Sequence, residues 1–443
     1  MKILRFKGKA IHSYMDFDIS FEKTVTFLIG INGSGKTTVL KLILGLITPS
    51  YKYLANIGYD EIEIYCLSQE NTRIRIKSKK INQDMREISL YRGNQKVSTD
   101  RFNCFDEISK HFEKKLDDKF ADNFDLMETT REIRELHTPM FLGLDRRIFK
   151  SENHRNIIYN ERTSRRFSHT SANDSLSISL LEAQETVNDY YRTIPKKQAE
   201  HSFNFKNSVL SKSFEYTKFD SISSFEPDLS QIGKKRKELN KAIELIADTN
   251  LQNEIEVFFN NIEALSKKIK LKENKDEFRL TLEWLINNSQ LIRIDKIIEL
   301  STMYQKQISN LYDPIHTLEE IINNFLGESN KVLEISDNGF IRIILPNGTK
   351  TTINTLSSGE KQILIMITHL VFNHYNIQNK SSSCIFIIDE PEISLHLFWQ
   401  EIFVDSLLKA NPNAQYILAT HSPTIIGNIN NEVLCQDLSP QGK

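Results

Sequence analysis

The chain has 443 residues, 39% of them hydrophobic, and a formal net charge of −1. That length allows one large domain with an insertion, or two to three domains, and near-neutrality excludes a global basic field that would draw in nucleic acid. No apolar run approaches the about 18 residues of a membrane-spanning helix. None of the four cysteines (Cys66, Cys104, Cys384, Cys435) forms a CxxC pair, which argues against a zinc knuckle or redox dithiol and for reduced thiols in the cytoplasm.

The first eight residues alternate apolar and basic side chains, the pattern of a first strand rather than a signal peptide. Ile3–Phe6 and Met15–Ile19 alternate with period two, and Val25–Ile29 is a short apolar run expected of a buried strand. The loop Gly30-Ile31-Asn32-Gly33-Ser34-Gly35-Lys36-Thr37 follows, and then a helix from Thr37 to Leu46. Glu61–Tyr65 and Thr72–Lys77 alternate again, and Met140–Leu144 is another apolar run, ending at Asp145-Arg146-Arg147. Residues 151–180 are rich in Ser, Asn, Arg and Thr and predict a loop. From 176 to 325 the spacing is helical, with Pro195, Pro227 and Pro314 expected to interrupt it and no heptad run long enough for a coiled-coil arm. Val332–Ile335 and Phe340–Ile343 flank Asp337-Asn338-Gly339, a hairpin signal. A helix follows Leu356-Ser357-Ser358-Gly359-Glu360, then a buried strand at Ile385–Ile388, a helix at Leu397–Leu408, and a strand at Gln415–Ala419. The expected class is α/β: two strand-bearing lobes over 1–150 and 326–443, interrupted by a mostly helical insertion over 151–325.

The loop at Gly30 matches GxxxxGK[ST] in full and sits between a strand and a helix, the context a phosphate loop requires. Glycines let the backbone wrap a phosphate with its N–H groups, and the helix adds its positive end. The expected nucleotide contacts are Gly30, Asn32, Gly33, Ser34, Gly35, Lys36, Thr37 and Thr38. Lys36 bridges the outer phosphates of ATP, and the Thr37 hydroxyl ligates Mg²⁺. Asp389 follows four apolar residues, so its carboxylate stands at a buried strand end, within reach of Mg²⁺. Glu390 beside it is the candidate general base for water. Ser357, Ser358, Gly359 and Glu360 begin a helix 30 residues before Asp389, counted from Gly359. That sequence suits γ-phosphate recognition and is also an ordinary helix cap. His421 follows an apolar strand 32 residues after Asp389, where an imidazole can donate to the γ-phosphate or serve the fold.

This ordered set resembles the ABC-type ATPase fold shared by SMC-like repair proteins and the overcoming-lysogenization-defect group. It covers about residues 1–150 and 326–430. The run Asp389-Glu390-Pro391-Glu392-Ile393-Ser394-Leu395-His396 is the form found in the soluble members. The resemblance implies a mixed-sheet head and a head-to-tail dimer, possibly a higher oligomer. Each ATP would be held by Lys36 of one copy and Ser357 of the other, with Ser394 and His396 at the interface. The family's Q-loop glutamine is missing near Leu142–Arg147, where Asp145 or Arg146 stands instead.

Asp174–Ala183, Tyr190-Tyr191-Arg192, Val209-Leu210 and Phe214-Glu215-Tyr216 are similar to the helical insertion of the Septu-type anti-phage ATPases (PtuA), which also occur in retrons. That resemblance implies a separate HNH nuclease partner and a possible retron RNA–DNA. No second acidic cluster for a Toprim nuclease follows His421, so cutting is expected to lie on another chain. Arg162, Arg165 and Arg166 are the better candidates for a nucleic-acid patch. Lys234-Lys235-Arg236-Lys237 and Lys267-Lys268 fit a solvated helix face more readily. The alternative is a DNA-repair ATPase of the RecF or SMC kind, with SMC arms disfavoured by a short, proline-broken insertion. A transport energiser is disfavoured by the long insertion between lobes.

Overall fold

The computed structural model describes residues 1–68, 70–104, 123–136, 140–142, 148–149, 175–214, 229–243, 249–271, 277–377, 385–427 and 433–439. They fall into two compact units, Met1–Asp189 with Ile315–Lys443, and Tyr190–Pro314. In chain order the first elements are β1 (Lys2–Ile11), β2 (Met15–Ser20), β3 (Val25–Ile29), α1 (Lys36–Ile47), α2 (Tyr51–Asn56), β4 (Glu61–Leu67), β5 (Arg73–Lys80), β6 (Met85–Arg92) and β7 (Gln95–Asn103). After α3 (Glu128–Glu135), β8 (Met140–Leu142) and β9 (Ile148–Phe149) come the long helices α4 (Ser175–Ser213), α5 (Leu229–Ile243), α6 (Thr249–Leu271) and α7 (Glu277–Leu326). The chain closes with β10 (Val332–Ile335), β11 (Ile341–Ile344), β12 (Lys350–Thr351), α8 (Ser358–Ile377), β13 (Ile385–Asp389), α9 (Leu397–Ala410), β14 (Gln415–Ala419) and β15 (Val433–Asp437).

Period-two strands make an antiparallel sheet in the order β2-β1-β4-β5-β6-β7. Its registers align Phe6, Ile64, Ile76 and Leu90 in one apolar row across four strands, all of them fully buried. The next row on the other face runs Lys7, Glu63, Lys77, and the Lys77 ammonium sits 2.8 Å from Glu63. Alternation therefore gives these strands one apolar face and one polar face, the latter partly covered, since Glu63 is also buried.

The short apolar runs instead build a second sheet, β15-β3-β14-β13-β8-β9, parallel except at its β8–β9 edge. Strands buried on both faces need continuous hydrophobicity, which Val25–Ile29 and Ile385–Ile388 supply. Because β3, β14 and β13 are neighbours and parallel, the residues after Ile29, Ala419 and Asp389 all emerge at one sheet edge. Buried Gln415 ties the two sheets: its amide oxygen accepts Ile3 N–H (2.7 Å) and its amide nitrogen donates to Ile3 and Glu22 carbonyls (both 2.7 Å). The hairpin β10–β11 pairs in register with Gly339 in the left-handed region (φ 76°), as its turn sequence predicts.

The second unit is helical. Ile232, Leu239, Phe259, Ile262, Leu265, Trp284 and Leu291 form its core. The expectation that prolines break the insertion is corrected: Pro195 lies inside the 39-residue α4 and Pro314 inside the 50-residue α7. A proline costs about 3 kcal/mol inside a helix. The buried stripe Leu180, Ala183, Val187, Tyr190 and Ile194 outweighs that on α4. The Tyr190 hydroxyl adds a cross-helix bond, donating to Leu311 O (3.0 Å) in the turn before Pro314. Phe205 and Tyr304 stack with centroids 5.0 Å apart, so α4 and α7 run antiparallel through this unit. Helix begins at Ser175, where a loop to 180 was expected; residues 151–174, with Arg162, Arg165 and Arg166, lie outside the described residues, as do Asp145, Arg146 and Pro227. On α5, Lys235 pairs with Asp295 of α7 (2.5 Å) and Arg236 with Glu256 and Glu263 of α6, so these two cations join helices rather than standing on a fully solvated face.

Candidate nucleotide site

The loop between β3 and α1 is shaped by three glycines with positive φ: Gly30 (143°), Gly33 (84°) and Gly35 (92°). Gly35 has a second constraint, since a Cβ there would lie 2.8 Å from Phe17 Cζ and 3.1 Å from Met15 Sδ. The first N–H bonded back into α1 is that of Val39, to Gly35 O (2.8 Å), which leaves the N–H groups of Lys36, Thr37 and Thr38 without helical acceptors. Buried Lys36 curls over its own loop and donates to Gly30 O (2.9 Å) and Ile31 O (3.2 Å). Burial draws its ammonium below the ordinary lysine range, against the pull of Glu390, Asp389 and Glu392. Thr37 Oγ1 donates to Asp389 Oδ1 at 3.2 Å, joining positions 352 residues apart in sequence. Burial pushes the Asp389 carboxyl above its usual range, with the Thr37 hydrogen bond opposing.

These groups surround a cavity of about 280 Å³ whose walls include His12, Met15, Asn32, Gly33, Gly35, Lys36, Thr37, Thr38, Glu390 and His421. Ser34 is not on that wall; it is buried and its hydroxyl has no partner among the described residues. Glu390 follows Asp389 in the left-handed region at φ 49°, unusual for a non-glycine residue, and its N–H is anchored to Ala419 O (2.9 Å). His421 is exposed, and its backbone N–H donates to Glu392 Oε1 (2.6 Å).

The other candidate residues stand elsewhere. Ser357, Ser358, Gly359 and Glu360 do not line the cavity. They start α8 with a reciprocal cap: Ser357 N–H donates to Glu360 Oε2 (2.7 Å) and Glu360 N–H to Ser357 Oγ (3.3 Å). Glu360 is buried and also receives Lys331 Nζ (2.8 Å) and the Ser329 hydroxyl (3.0 Å), so within this chain its carboxylate is fully engaged. Ser394 closes the 3-10 turn Pro391–Ser394, and His396 at the start of α9 lies 3.6 Å from Glu328. His12, Glu392 and Lys331 carry contacts that the motif reading had no reason to single out, because their partners lie far away in sequence.

The donor set suits a magnesium nucleotide. Bare N–H groups, a lysine whose ammonium donates to loop carbonyls, and a hydroxyl bonded to the Asp389 carboxylate meet at one cavity. Among the described residues no cluster of three or more His, Cys, Asp or Glu could hold a metal alone. A cation at Thr37 and Asp389 would therefore complete its shell with phosphate oxygens and water, as Mg²⁺ prefers.

The profile of the AAA ATPase domain family (AAA_15) matches residues 1–426. The chain is 24% identical over 441 residues to "Retron Vc95 probable ATPase" of Vibrio cholerae serotype O1 biovar El Tor, an alignment covering 97% of this chain and 72% of that protein. It is 29% identical over 187 residues to "Retron Ec83 probable ATPase" of Escherichia coli, covering 39% of this chain and 34% of the relative. Among solved structures, an Smc head domain from Pyrococcus furiosus superposes with a TM-score of 0.42 at 11% identity, covering 99% of this chain and 94% of that one. The SMC head domain from Thermotoga maritima gives 0.34 at 11% identity, covering 96% and 91%. A family match that runs through both strand lobes and everything between them leads to one conclusion: the chain belongs to the AAA ATPase domain family.

Proposed function

We propose that this protein is the ATP-binding and ATP-hydrolysing subunit of a retron-type anti-phage defence complex, which closes as a head-to-tail dimer on ATP and controls a separate nuclease of the HNH class. The observation that carries the enzymatic part is the single cavity joining Lys36, Thr37, Glu390 and His421, with Asp389 bonded to Thr37. The retron ATPases among its relatives support the defence setting. In this reading 1–150 and 326–443 are the catalytic lobes, and 151–325 is the surface that meets the partner and any retron RNA–DNA.

The residues divide the chemistry. Lys36 turns from its loop carbonyls to the outer phosphates, and the free N–H groups of Lys36, Thr37 and Thr38 hold the phosphate oxygens at the helix end. Thr37 and Asp389 hold Mg²⁺, which when bound neutralises phosphate charge and aligns the oxygens. Glu390 accepts the proton of the attacking water while the bond from the γ-phosphorus to its bridging oxygen breaks, giving ADP and phosphate. His421 donates to the γ-phosphate. Ser357 of a second copy, whose helix start adds positive potential, closes the site from outside.

Affinity purification of the tagged chain from cells carrying its native operon tests the assembly. An HNH nuclease that co-purifies with wild type, and whose activity changes in Lys36→Ala, is the expected result. Recovery of homodimer and DNA alone would overturn the nuclease-partner reading.

A further inference from the structure

We infer that Glu392 is a positioning residue that holds His421 at the cavity and locks its loop to the turn carrying Glu390; this rests on the ATP-hydrolysis reading of the site. Glu392 lies one 3-10 turn past Asp389, at the end of β13. Its carboxylate reaches across to the end of the neighbouring strand β14, where Oε1 accepts His421 N–H (2.6 Å) and Oε2 accepts the Thr420 hydroxyl (2.9 Å). Thr420 is fully buried, so that hydroxyl has little alternative in solvent.

The bond pair belongs to a closed ring. Ser422 N–H donates to Thr420 Oγ1 (3.0 Å), and Ser422 Oγ donates to Gln400 Oε1 (2.6 Å). Buried Gln400 donates through Nε2 to Leu395 O (2.9 Å), and Leu395 N–H returns to Glu392 O (3.2 Å). The ring ties down the three-residue segment of Thr420, His421 and Ser422, between β14 and the following helical turn, that bears the exposed imidazole. Ring closure fixes the His421 backbone relative to the residue two before Glu392, which is Glu390. The same carboxylate adds to the negative potential around the Lys36 ammonium, alongside Glu390 and Asp389. An ionised acceptor of a backbone N–H makes a stronger bond than a neutral one, which explains an acid here rather than an amide.

A positioning role differs from a purely structural one in how its loss combines with loss of His421. The test is a double-mutant cycle of Glu392→Ala and His421→Ala, read as kcat and KM for Mg-ATP with nucleotide affinity measured separately. Each single variant is expected to lower kcat by ~10- to 100-fold, on the scale of a misplaced catalytic group, with nucleotide affinity within ~3-fold of wild type. The double variant is expected to be no slower than His421→Ala alone. Multiplicative losses, or a kcat for Glu392→Ala equal to wild type, would overturn the inference. Should Glu392→Ala lose its cooperative thermal transition, Thr420→Val takes its place in the cycle, removing one arm of the bond pair under the same criterion. A His421→Ala variant that turns over like wild type would instead count against the hydrolysis reading itself.

Discussion

Asp389 shows the tension between stability and chemistry at one residue. Burial makes its ionised form costly, so the folded protein keeps the carboxyl protonated to higher pH than the unfolded chain does. A raised folded value means that stability from this group is lost as pH climbs from 3.8 through the raised value, and stays lost at neutral pH. Asp389→Asn removes that cost and still accepts from Thr37. Its nucleotide-free melting temperature at pH 7 is expected to rise by a few degrees (~2–4 °C per kcal/mol), while Mg-dependent turnover disappears. A melting temperature below wild type at pH 7 would contradict the assignment. Near pH 3, where both states are protonated, the two proteins should converge. Asp389, Lys36 and Thr37 were legible in the sequence because strand, loop and helix around them are local patterns. Glu392 was not, because its role depends on Thr420 and His421 arriving on the adjacent strand.

Helix α8 shows how a motif with a second reading can serve the fold as well. Burial would push the Glu360 carboxyl up, but Lys331, the Ser357 N–H and Ser329 outweigh it and hold it below the ordinary 4.5. A depressed folded value places this stability above pH 4.5, to be lost as pH falls through the folded value. Glu360→Ala strands the Lys331 ammonium, whose side chain is only 19% exposed, and uncaps the helix. Breaking such a pair costs about 3–5 kcal/mol, to be read by urea denaturation at pH 7; a loss under ~1 kcal/mol would show the cluster to be dispensable. A companion change at the phosphate loop, Gly35→Ala, forces a Cβ against Phe17 and Met15 at a left-handed backbone position. It is expected to lower both thermal stability and nucleotide affinity, and unchanged values of both would contradict the loop geometry. Among elements, α4 and α7 departed most from expectation. Local proline penalties are small beside a stripe of buried side chains, and only the partner helix reveals that stripe's value. Likewise β15 was not foreseen, since its place beside β3 pairs residues some 400 positions apart.

At the scale of the whole molecule, the cavity and the Ser357 cap are separate surfaces of one chain, and the proposed dimer is what would join them. Ser357→Arg should therefore bind ATP at its own cavity yet hydrolyse none, at a fold cost of about 1 kcal/mol for the lost cap. Mixing it with Lys36→Ala should restore turnover, because one composite site then combines an intact loop with an intact Ser357. Absence of recovery in the mixture, with both proteins folded, would contradict the head-to-tail arrangement. Glu390→Gln with ATP should shift the 51.5 kDa chain to a dimer in sedimentation, and a monomer there would argue the same way. Fold class and the grouping of Lys36, Thr37, Glu390 and His421 around one cavity could be read from ordered motifs, whereas assembly depends on surfaces whose partners no single chain encodes locally. Most direct for the central claim is steady-state ATP turnover by the purified protein beside Lys36→Ala. Magnesium-dependent release of phosphate that vanishes in the variant is the predicted result. Turnover that Lys36→Ala leaves intact, or none at all by a folded wild-type protein, would contradict it.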